Sequence, residues 1–291
     1  MEPKDEKRLM RYILLLLIVI GGMVYLSQLG KETGNDSEKP VEQEAGGAPA
    51  EAEVSEVEEV EEVEEVEEVE EVEEVPFSPK PFEYETKAKG RGGSGKVYMG
   101  REISLVMGHE AINWLERDNR EDEEAPSKAV KGLELRVDAV VADIGSGSGY
   151  YTFLIAPLVP EGKVIGVDIQ PEMVAFLGQK AAKLGVANVE AHLGKVDSVQ
   201  LPEGTVDAVI LVDAYHEFSH PNEMMQSIFH ALKPGGRVYL LEYRGEDPDV
   251  PIKTLHKMTE AQSVKEMKVV GLRHLRTEGF LPWQHFMIFE K

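Results

Sequence analysis

The stretch VADIGSGSGYYT (141–152) decides the fold. It continues an apolar run, RVDAVVADI (136–144), which predicts a buried β-strand, and it leads into YYTFLIAPLV (150–159), which predicts a helix. Three glycines between them allow a sharp turn and a close approach of the backbone to a ligand. The start of a helix also offers free N–H groups to an anion. The stretch therefore predicts a ligand-binding turn between a strand and a helix.

Towards the C terminus, short apolar runs alternate with amphipathic segments, which is typical of βαβ units. The predicted strands are 136–144, 163–169, 188–193, 206–214, 236–243, 272–280 and 283–291. The predicted helices between them are 150–159, 171–185, 221–233 and 258–271. We therefore predict an α/β fold with a seven-stranded, mostly parallel sheet that ends in an antiparallel pair.

Two cofactors fit the turn, a nicotinamide dinucleotide or S-adenosylmethionine (SAM). Asp168 ends the next strand, where an acid accepts hydrogen bonds from both ribose hydroxyls. The glycines Gly145, Gly147 and Gly149 have the spacing GxGxG, whereas dinucleotide folds use GxGxxG. Asp143 lies inside the turn, where a carboxylate would oppose a pyrophosphate but suits the ammonium of a methionine moiety. These details favour SAM over a dinucleotide.

Four motifs, in chain order, resemble those of class I SAM-dependent methyltransferases. They are DIGSGSG (143–149), GVDIQPEMV (166–174), LVDAYHEF (211–218) and LKPGGRVYLLEY (232–243). The resemblance covers about residues 130–291. It implies a Rossmann-like seven-stranded sheet with SAM over the strand ends, and methyl transfer to an acceptor that the sequence does not identify.

The resemblance also implies which residues bind SAM. These are Asp143, Gly145, Gly147, Gly149, Asp168, Ile169, Met173, Asp197 and Asp213. Asp143 and the glycines would hold the methionine part, Asp168 the ribose, and Ile169 with Met173 the adenine. Relatives often place an acid against the adenine amine after the third strand. Here Lys195 lies near that place and Asp197 two residues further on, while Asp213 and Ala214 would pass beside the methyl group.

The segment DAYHEFSHP (213–221) follows the fourth predicted strand, where acceptor and methyl donor meet. His216 or Glu217 could act as a base towards the acceptor, or His216 could fix the loop. Residues 216–220 match HExxH literally, but that zinc motif needs a continuous helix, and Pro221 disfavours helical geometry at His220. We therefore predict no metal site.

Residues 82–129 are predicted to be a helical segment that covers the substrate, with GRGGSGKV (90–97) as a flexible hinge. That hinge lacks the Ser or Thr of a phosphate-binding loop. Several residues are candidates for the cavity or its packing, and His109 is expected to be structural. The candidates are Met99, Met107, Trp114, Tyr150, Tyr151, Glu242, Arg244 and His256.

The N-terminal quarter differs in composition from the rest. Residues 1–11 are short and basic, and residues 12–29 lack charges over 18 positions, the lower limit for a membrane span. An uncleaved anchor is the preferred interpretation, a cleaved signal peptide or a buried helix the alternatives. In residues 30–81, valine recurs at every third position among glutamates. On a helix, a row of valines with this spacing would wind around the surface and would not form one straight apolar seam. We expect a disordered acidic linker.

Charge and topology bound the function. The net charge is −23, but residues 31–75 carry −18 and residues 76–291 only about −6, with no basic patch that indicates nucleic acid. No cysteine is present, which excludes disulfides and thiolate chemistry. We predict a membrane-anchored methyltransferase for a small or lipid-like acceptor. Bases before the apolar run would place the domain outside the cytoplasm, away from the SAM that metabolism makes. We therefore leave open on which side of the membrane the domain lies. The alternatives are an exported, non-catalytic SAM-binding or ligand-binding protein and an NAD-dependent enzyme.

Overall fold

The computed structural model describes residues 77–291, which contain two β-sheets. The strands are β1 (Glu85–Thr86), β2 (Gly93–Tyr98), β3 (Arg101–Ser104), β4 (Val140–Ile144), β5 (Lys163–Asp168), β6 (Val189–Leu193), β7 (Val206–Val212), β8 (Leu232–Tyr243), β9 (Arg273–Glu278) and β10 (Gln284–Glu290). The α-helices are α1 (Ile112–Leu115), α2 (Arg120–Glu124), α3 (Pro126–Lys131), α4 (Tyr150–Ile155), α5 (Pro171–Leu184), α6 (Pro221–Ala231) and α7 (Glu260–Val269). The predicted anchor 12–29 and almost all of the predicted linker 30–81 lie outside the described residues.

The larger sheet has seven strands within residues 77–291, in the order β6-β5-β4-β7-β8-β10-β9. Strands β4 to β8 pair in parallel, and β10 is antiparallel to both β8 and β9. The central strands are apolar on both faces because helices cover both sides of the sheet. The predicted strands, the intervening helices and the final antiparallel pair are confirmed.

Two apolar cores flank the sheet. One packs α6 and α7 against it through residues such as Met225, Ile228 and Met267. The other packs α3 and α4 against the opposite face, with Val130 and Ile155 among its members. Burial of each such side chain contributes roughly 1.5–3 kcal/mol, so these cores fix the strand ends that carry the site.

The smaller sheet corrects the prediction for residues 82–129. Strands β1, β2 and β3 form an antiparallel sheet where a helical segment was predicted. The glycine-rich residues 93–97 lie in β2 and are therefore not a hinge. Helical geometry begins at His109 and continues in the short helices α1 to α3. Within residues 77–291, no helix has both the length and the apolar character that crossing a bilayer requires.

Candidate active site

A cavity of about 650 Å³ opens at the carboxyl ends of β4, β5, β7 and β8. The chain passes from β4 to β5 on one side and from β7 to β8 on the other, so the loops diverge at this edge. Such a switch point in a parallel sheet leaves a crevice that binds ligands. The cavity is lined by the glycine-rich turn, by the residues after β5 and β7, by residues 105–107 and 251–253, by His256, and by residues 114–115 of α1.

The predicted glycine turn forms the cavity floor. Gly145 and Gly147 line the cavity. Their φ angles of +73° and +52° are left-handed, a backbone conformation that residues with a Cβ rarely adopt. A Cβ at Gly145 would come within 2.7 Å of the Ala214 Cβ, and one at Gly147 within 2.8 Å of Leu115. Gly149 does not line the cavity. It precedes α4, and a Cβ there would lie 2.2 Å from Leu177, so this glycine serves packing.

Asp168 lies at the end of β5 with its carboxylate at the cavity. Its Oδ2 accepts the Gly147 N–H and its Oδ1 accepts the Gln170 N–H, each at 2.9 Å. Burial raises the pKa of this carboxyl above its usual value. A carboxylate has about four acceptor sites, so Asp168 can still accept from a ligand hydroxyl. Ile169 and Met173 line the cavity beside it.

Asp143 lies beneath the turn and borders a smaller cavity of about 30 Å³ together with Arg120, Tyr150 and Tyr151. Thr152 Oγ1 donates to its Oδ2 at 2.6 Å. Burial raises the pKa of Asp143 to about 6. A cavity of this size holds about one water molecule. The geometry therefore suits a contact between Asp143 and a ligand ammonium that passes through water.

Asp213 follows β7 and lines the main cavity in a left-handed conformation, with φ of +49°. Gln284 Nε2 donates to its Oδ2 at 2.6 Å. Its Oδ1 is buried and has no hydrogen-bond partner among the described residues. Burial, followed by the charges of Glu124 and Glu242, raises the pKa of Asp213 well above its usual value. A cationic ligand would satisfy this oxygen and favour its ionised form.

His216 is held by a buried carboxylate. It lies in a 3₁₀ turn, Tyr215–Glu217, and its ring is almost fully buried. Glu242 accepts twice, from His216 Nδ1 at 2.6 Å and from the His216 backbone N–H at 3.2 Å. A carboxylate only accepts hydrogen bonds, so this pair places the proton on Nδ1 and leaves Nε2 as the unprotonated ring nitrogen. Glu242 is therefore a positioning residue for His216.

Glu217 and His256 complete this side of the cavity. His216 Nε2 lies 3.0 Å from His256 Nδ1, and Glu217 Oε1 lies 3.4 Å from the same His256 atom. Glu217 Oε1 is 3.8 Å from His216 Nε2, while its Oε2 accepts the Met107 N–H at 3.0 Å. His256 comes from the short 3₁₀ helix Thr254–His256 in the long loop after β8. The structure thus joins two predicted candidates with a third that lies 40 residues away.

The literal HExxH match is not assembled. His220 has non-helical geometry, with φ of −132° and ψ of 64°, between the 3₁₀ turn and α6. Its Nδ1 lies 3.0 Å from Ser219 Oγ, and its ring contacts the Tyr84 ring edge-on. His220 is absent from the cavity lining.

Several other predicted residues do not reach the cavity. Asp197 is absent from the lining, because a tight turn bridged between Lys195 and Ser198 brings Val196 there instead. Met99 also lies away from it, and its carbonyl accepts from Lys265 Nζ at 2.7 Å. Arg244 is structural, since its guanidinium donates to backbone carbonyls near residues 281–284. Tyr151 packs in a core.

The segment before the main sheet lines the cavity through Met107 and Trp114. Gln170, which sequence reasoning missed, ties it down. Its Oε1 accepts the His109 N–H at 2.9 Å and its Nε2 donates to the Met107 carbonyl at 3.0 Å. The cover is therefore attached two residues beyond Asp168.

The small sheet is clamped to the loop that carries His216. Arg101 donates to both oxygens of Glu266 at 2.9 Å and to the His216 carbonyl at 3.1 Å. Tyr215 Oη donates to Glu266 at 2.7 Å. Arg101 and Glu266 are both largely buried, and such charges persist only in pairs. No local signal in residues 98–104 indicated this clamp.

A family model described as a methyltransferase domain matches residues 135–284, just over half of the chain. The chain belongs to the class I SAM-dependent methyltransferases. SAM is therefore the cofactor. Its fit is visible in the glycine floor, in the free acceptor sites of Asp168 and in the unpaired buried oxygen of Asp213.

Individual methyltransferases agree with this assignment. The uncharacterised methyltransferase YcgJ of Bacillus subtilis is 32% identical over 158 residues, which cover 53% of this chain and 62% of that protein. The arsenite methyltransferase of Halobacterium salinarum is 36% identical over 99 residues, 34% of this chain and 25% of that protein. The chain thus spans less than two thirds of either relative. A SAM-dependent methyltransferase from Aquifex aeolicus superposes with a TM-score of 0.60 and 25% identity, over 64% of this chain and 99% of that one.

Proposed function

We propose that this methyltransferase acts on a small or lipid-like acceptor bound against His216, Glu217 and His256. One observation carries the proposal. A single cavity joins the SAM-binding residues of the glycine turn and Asp168 to the group around His216. Donor and acceptor sites are thereby continuous, as a direct transfer between two bound molecules requires.

The cofactor residues divide the work of binding. When bound, SAM supplies an electrophilic methyl group on a sulfonium. Asp168 accepts the ribose hydroxyls, Ile169 and Met173 border the adenine, and Asp213 stabilises positive charge near the end of β7. The cover formed by Met107 and its neighbours excludes water, which strengthens each of these interactions. Asp197 lies outside the cavity lining and is not part of this set.

His216 is the proposed base for the acceptor. Glu242 keeps the proton on Nδ1, so Nε2 can take a proton from an acceptor hydroxyl or thiol. Glu217, held by the Met107 N–H and adjacent to His216 Nε2, would orient the acceptor beside the base. A positioned base of this kind contributes roughly 10²–10⁴-fold to the rate.

The cavity entrance supports an apolar or lipid-like acceptor. Leu105, Val106 and Trp114 line the cavity and are also 43–53% exposed. Apolar side chains grouped at an opening typically mark a ligand or membrane contact. An arsenite methyltransferase among the relatives also supports a small acceptor.

The proposal includes a membrane anchor. Residues 12–29 form an uncharged apolar stretch preceded by four basic residues. A single-pass anchor there would hold the domain near lipid-soluble acceptors, on a side that a protease-protection assay decides. Recovery of the full chain in the membrane fraction, and its loss when residues 1–30 are removed, would support this arrangement.

The decisive experiment incubates the full-length chain with labelled SAM and a panel of small acceptors, with and without lipid vesicles. Mass spectrometry follows the formation of S-adenosylhomocysteine. We expect acceptor-dependent product that falls at least 100-fold in His216→Gln. His220→Gln is the matched control, because His220 lies outside the cavity lining, and it should keep the wild-type rate. SAM binding without product from any acceptor would instead favour a binding protein without catalysis.

A further inference from the structure

We propose that His216, Glu217 and His256 form a site for one divalent transition-metal ion, with Zn²⁺ as the probe. The ligand atoms are His216 Nε2, Glu217 Oε1 and His256 Nδ1, and all lie within 4.8 Å of one another. This inference rests on the proposed function for the acceptor half of the cavity only, and an ion bound at His216 Nε2 would replace that atom as the group that activates the acceptor. It replaces the prediction of no metal site, which was made from the HExxH match at residues 216–220.

The separations between the ligand atoms match a metal site. Zinc binds imidazole nitrogen and carboxylate oxygen at about 2.0–2.2 Å, so two ligands of a tetrahedral ion lie about 3.4 Å apart. The observed separations are 3.0, 3.4 and 3.8 Å, which bracket this value. An ion can therefore reach all three atoms with only small movements of the side chains.

Two of the three ligand side chains are held from behind, and the third lies in a hydrogen-bonded turn. Glu242 accepts from His216 Nδ1 and so directs the Nε2 lone pair forward. The Met107 N–H holds the other oxygen of Glu217, and the His256 backbone N–H donates to the Lys253 carbonyl at 2.8 Å. A carboxylate behind a metal-binding histidine is the usual arrangement, because it fixes the tautomer and raises the basicity of the ligand.

A proton satisfies this cluster less well than a metal ion. Without a metal, one N–H of His256 must serve two acceptors, His216 Nε2 and Glu217 Oε1, at 3.0 and 3.4 Å. Whichever it reaches, the other is left without a donor from the protein. A dication placed between the three atoms satisfies all of them at once.

Three protein ligands leave positions open, which is typical of catalytic zinc sites and of sites with two histidines and one carboxylate. All three residues line the main cavity, so these positions face the bound acceptor. The acceptor would then be a molecule that offers an oxygen ligand. Coordination lowers the pKa of a bound hydroxyl, so that its proton leaves to solvent near neutral pH.

The test uses untagged full-length protein that has been stripped with a chelator. Zinc is titrated in competition with a chromophoric chelator, and Co²⁺ absorption reports the geometry. We expect one ion per chain and a Co²⁺ spectrum that changes when acetohydroxamate, an oxygen chelate, is added. Zinc should also raise the thermal midpoint, since a ligand of the folded state stabilises it.

Variants separate the site from adventitious binding. His256→Gln and Glu217→Gln should each weaken zinc binding at least 100-fold and remove the zinc-dependent thermal shift. Glu242→Gln should weaken it 10–100-fold, because it no longer fixes the His216 tautomer. His220→Gln, the control, should bind like the wild type.

The outcomes for metal and cofactor are distinguishable. Equal zinc binding by His256→Gln and the wild type, or less than one ion per chain, would overturn the metal site. An unchanged Co²⁺ spectrum with acetohydroxamate would overturn the open positions. SAM binding, measured on the same samples, reports separately on the proposed function, because its residues lie on the other side of the cavity.

Discussion

Replacing Asp143 by asparagine should make the SAM-free protein more stable at neutral pH. Burial raises the pKa of this carboxyl from 3.8 to about 6. The folded chain therefore holds the proton more tightly than the unfolded chain. The stability linked to this group is fully present below about pH 4 and is lost as the pH rises through about 6.

The size of the effect follows from the pKa. A rise of about two units corresponds to about 3 kcal/mol of unfolding free energy that the wild type lacks once Asp143 is ionised. Asparagine has almost the same shape, carries no charge and can still accept from Thr152 Oγ1. Asp143→Asn should therefore match the wild type near pH 4 and exceed it by about 3 kcal/mol at pH 8.

Urea denaturation of the SAM-free full chain at several pH values measures this difference. Asp197→Asn, a carboxyl outside the cavity lining, is the control and should show no such pH-dependent gain. The variant should at the same time bind SAM more weakly, because the ammonium loses its carboxylate. A constant difference between Asp143→Asn and the wild type across the pH range would show that ionisation of Asp143 does not destabilise the fold.

Three further predictions concern the clamp, the glycine floor and the proton balance. Arg101→Met should cost about 3–5 kcal/mol of unfolding free energy, because it leaves the buried Glu266 carboxylate without its cation. Arg136→Met removes one partner of an exposed ion pair and should cost under about 1 kcal/mol, and urea denaturation midpoints measure both. Gly147→Ala and Gly204→Ala both place a side chain at positive φ, and each should lose about 1–2 kcal/mol of unfolding free energy. Calorimetry should show weaker SAM binding only for Gly147→Ala, because Gly147 lines the cavity. SAM binding near pH 6 should release protons, because the cationic ligand favours the ionised form of Asp143. Calorimetry in buffers of different ionisation enthalpy measures the number of protons released, and Asp143→Asn should reduce that number.

The main sheet was predictable because its strands are continuous apolar runs. In β4, β5 and β7, both faces are buried, so the sequence carries a strong signal at each strand. The small sheet was not, because β1 is two residues long and β2 contains two glycines. Short strands with charged residues owe their geometry to tertiary contacts, here the clamp from Arg101 to Glu266.

The site was predictable where its residues are close in sequence. The glycine turn, Asp168 and the residues after β7 lie at strand ends, and parallel strands bring their carboxyl ends to one edge. The approach of His256 to His216 depends on the path of a long loop, which local patterns do not determine. Asp197 was assigned from a family position, and a tight turn there presents Val196 to the cavity instead.

Calorimetric titration of the full-length chain with SAM is the most direct test of whether this cavity binds the cofactor. Asp168→Asn removes a charged acceptor of the ribose hydroxyls, and we expect a loss of affinity of about 10–100-fold. Asp197→Asn, the same substitution outside the cavity lining, should leave the affinity unchanged. Equal affinities for both variants and the wild type, or no binding by any of them, would show that SAM does not bind in this cavity.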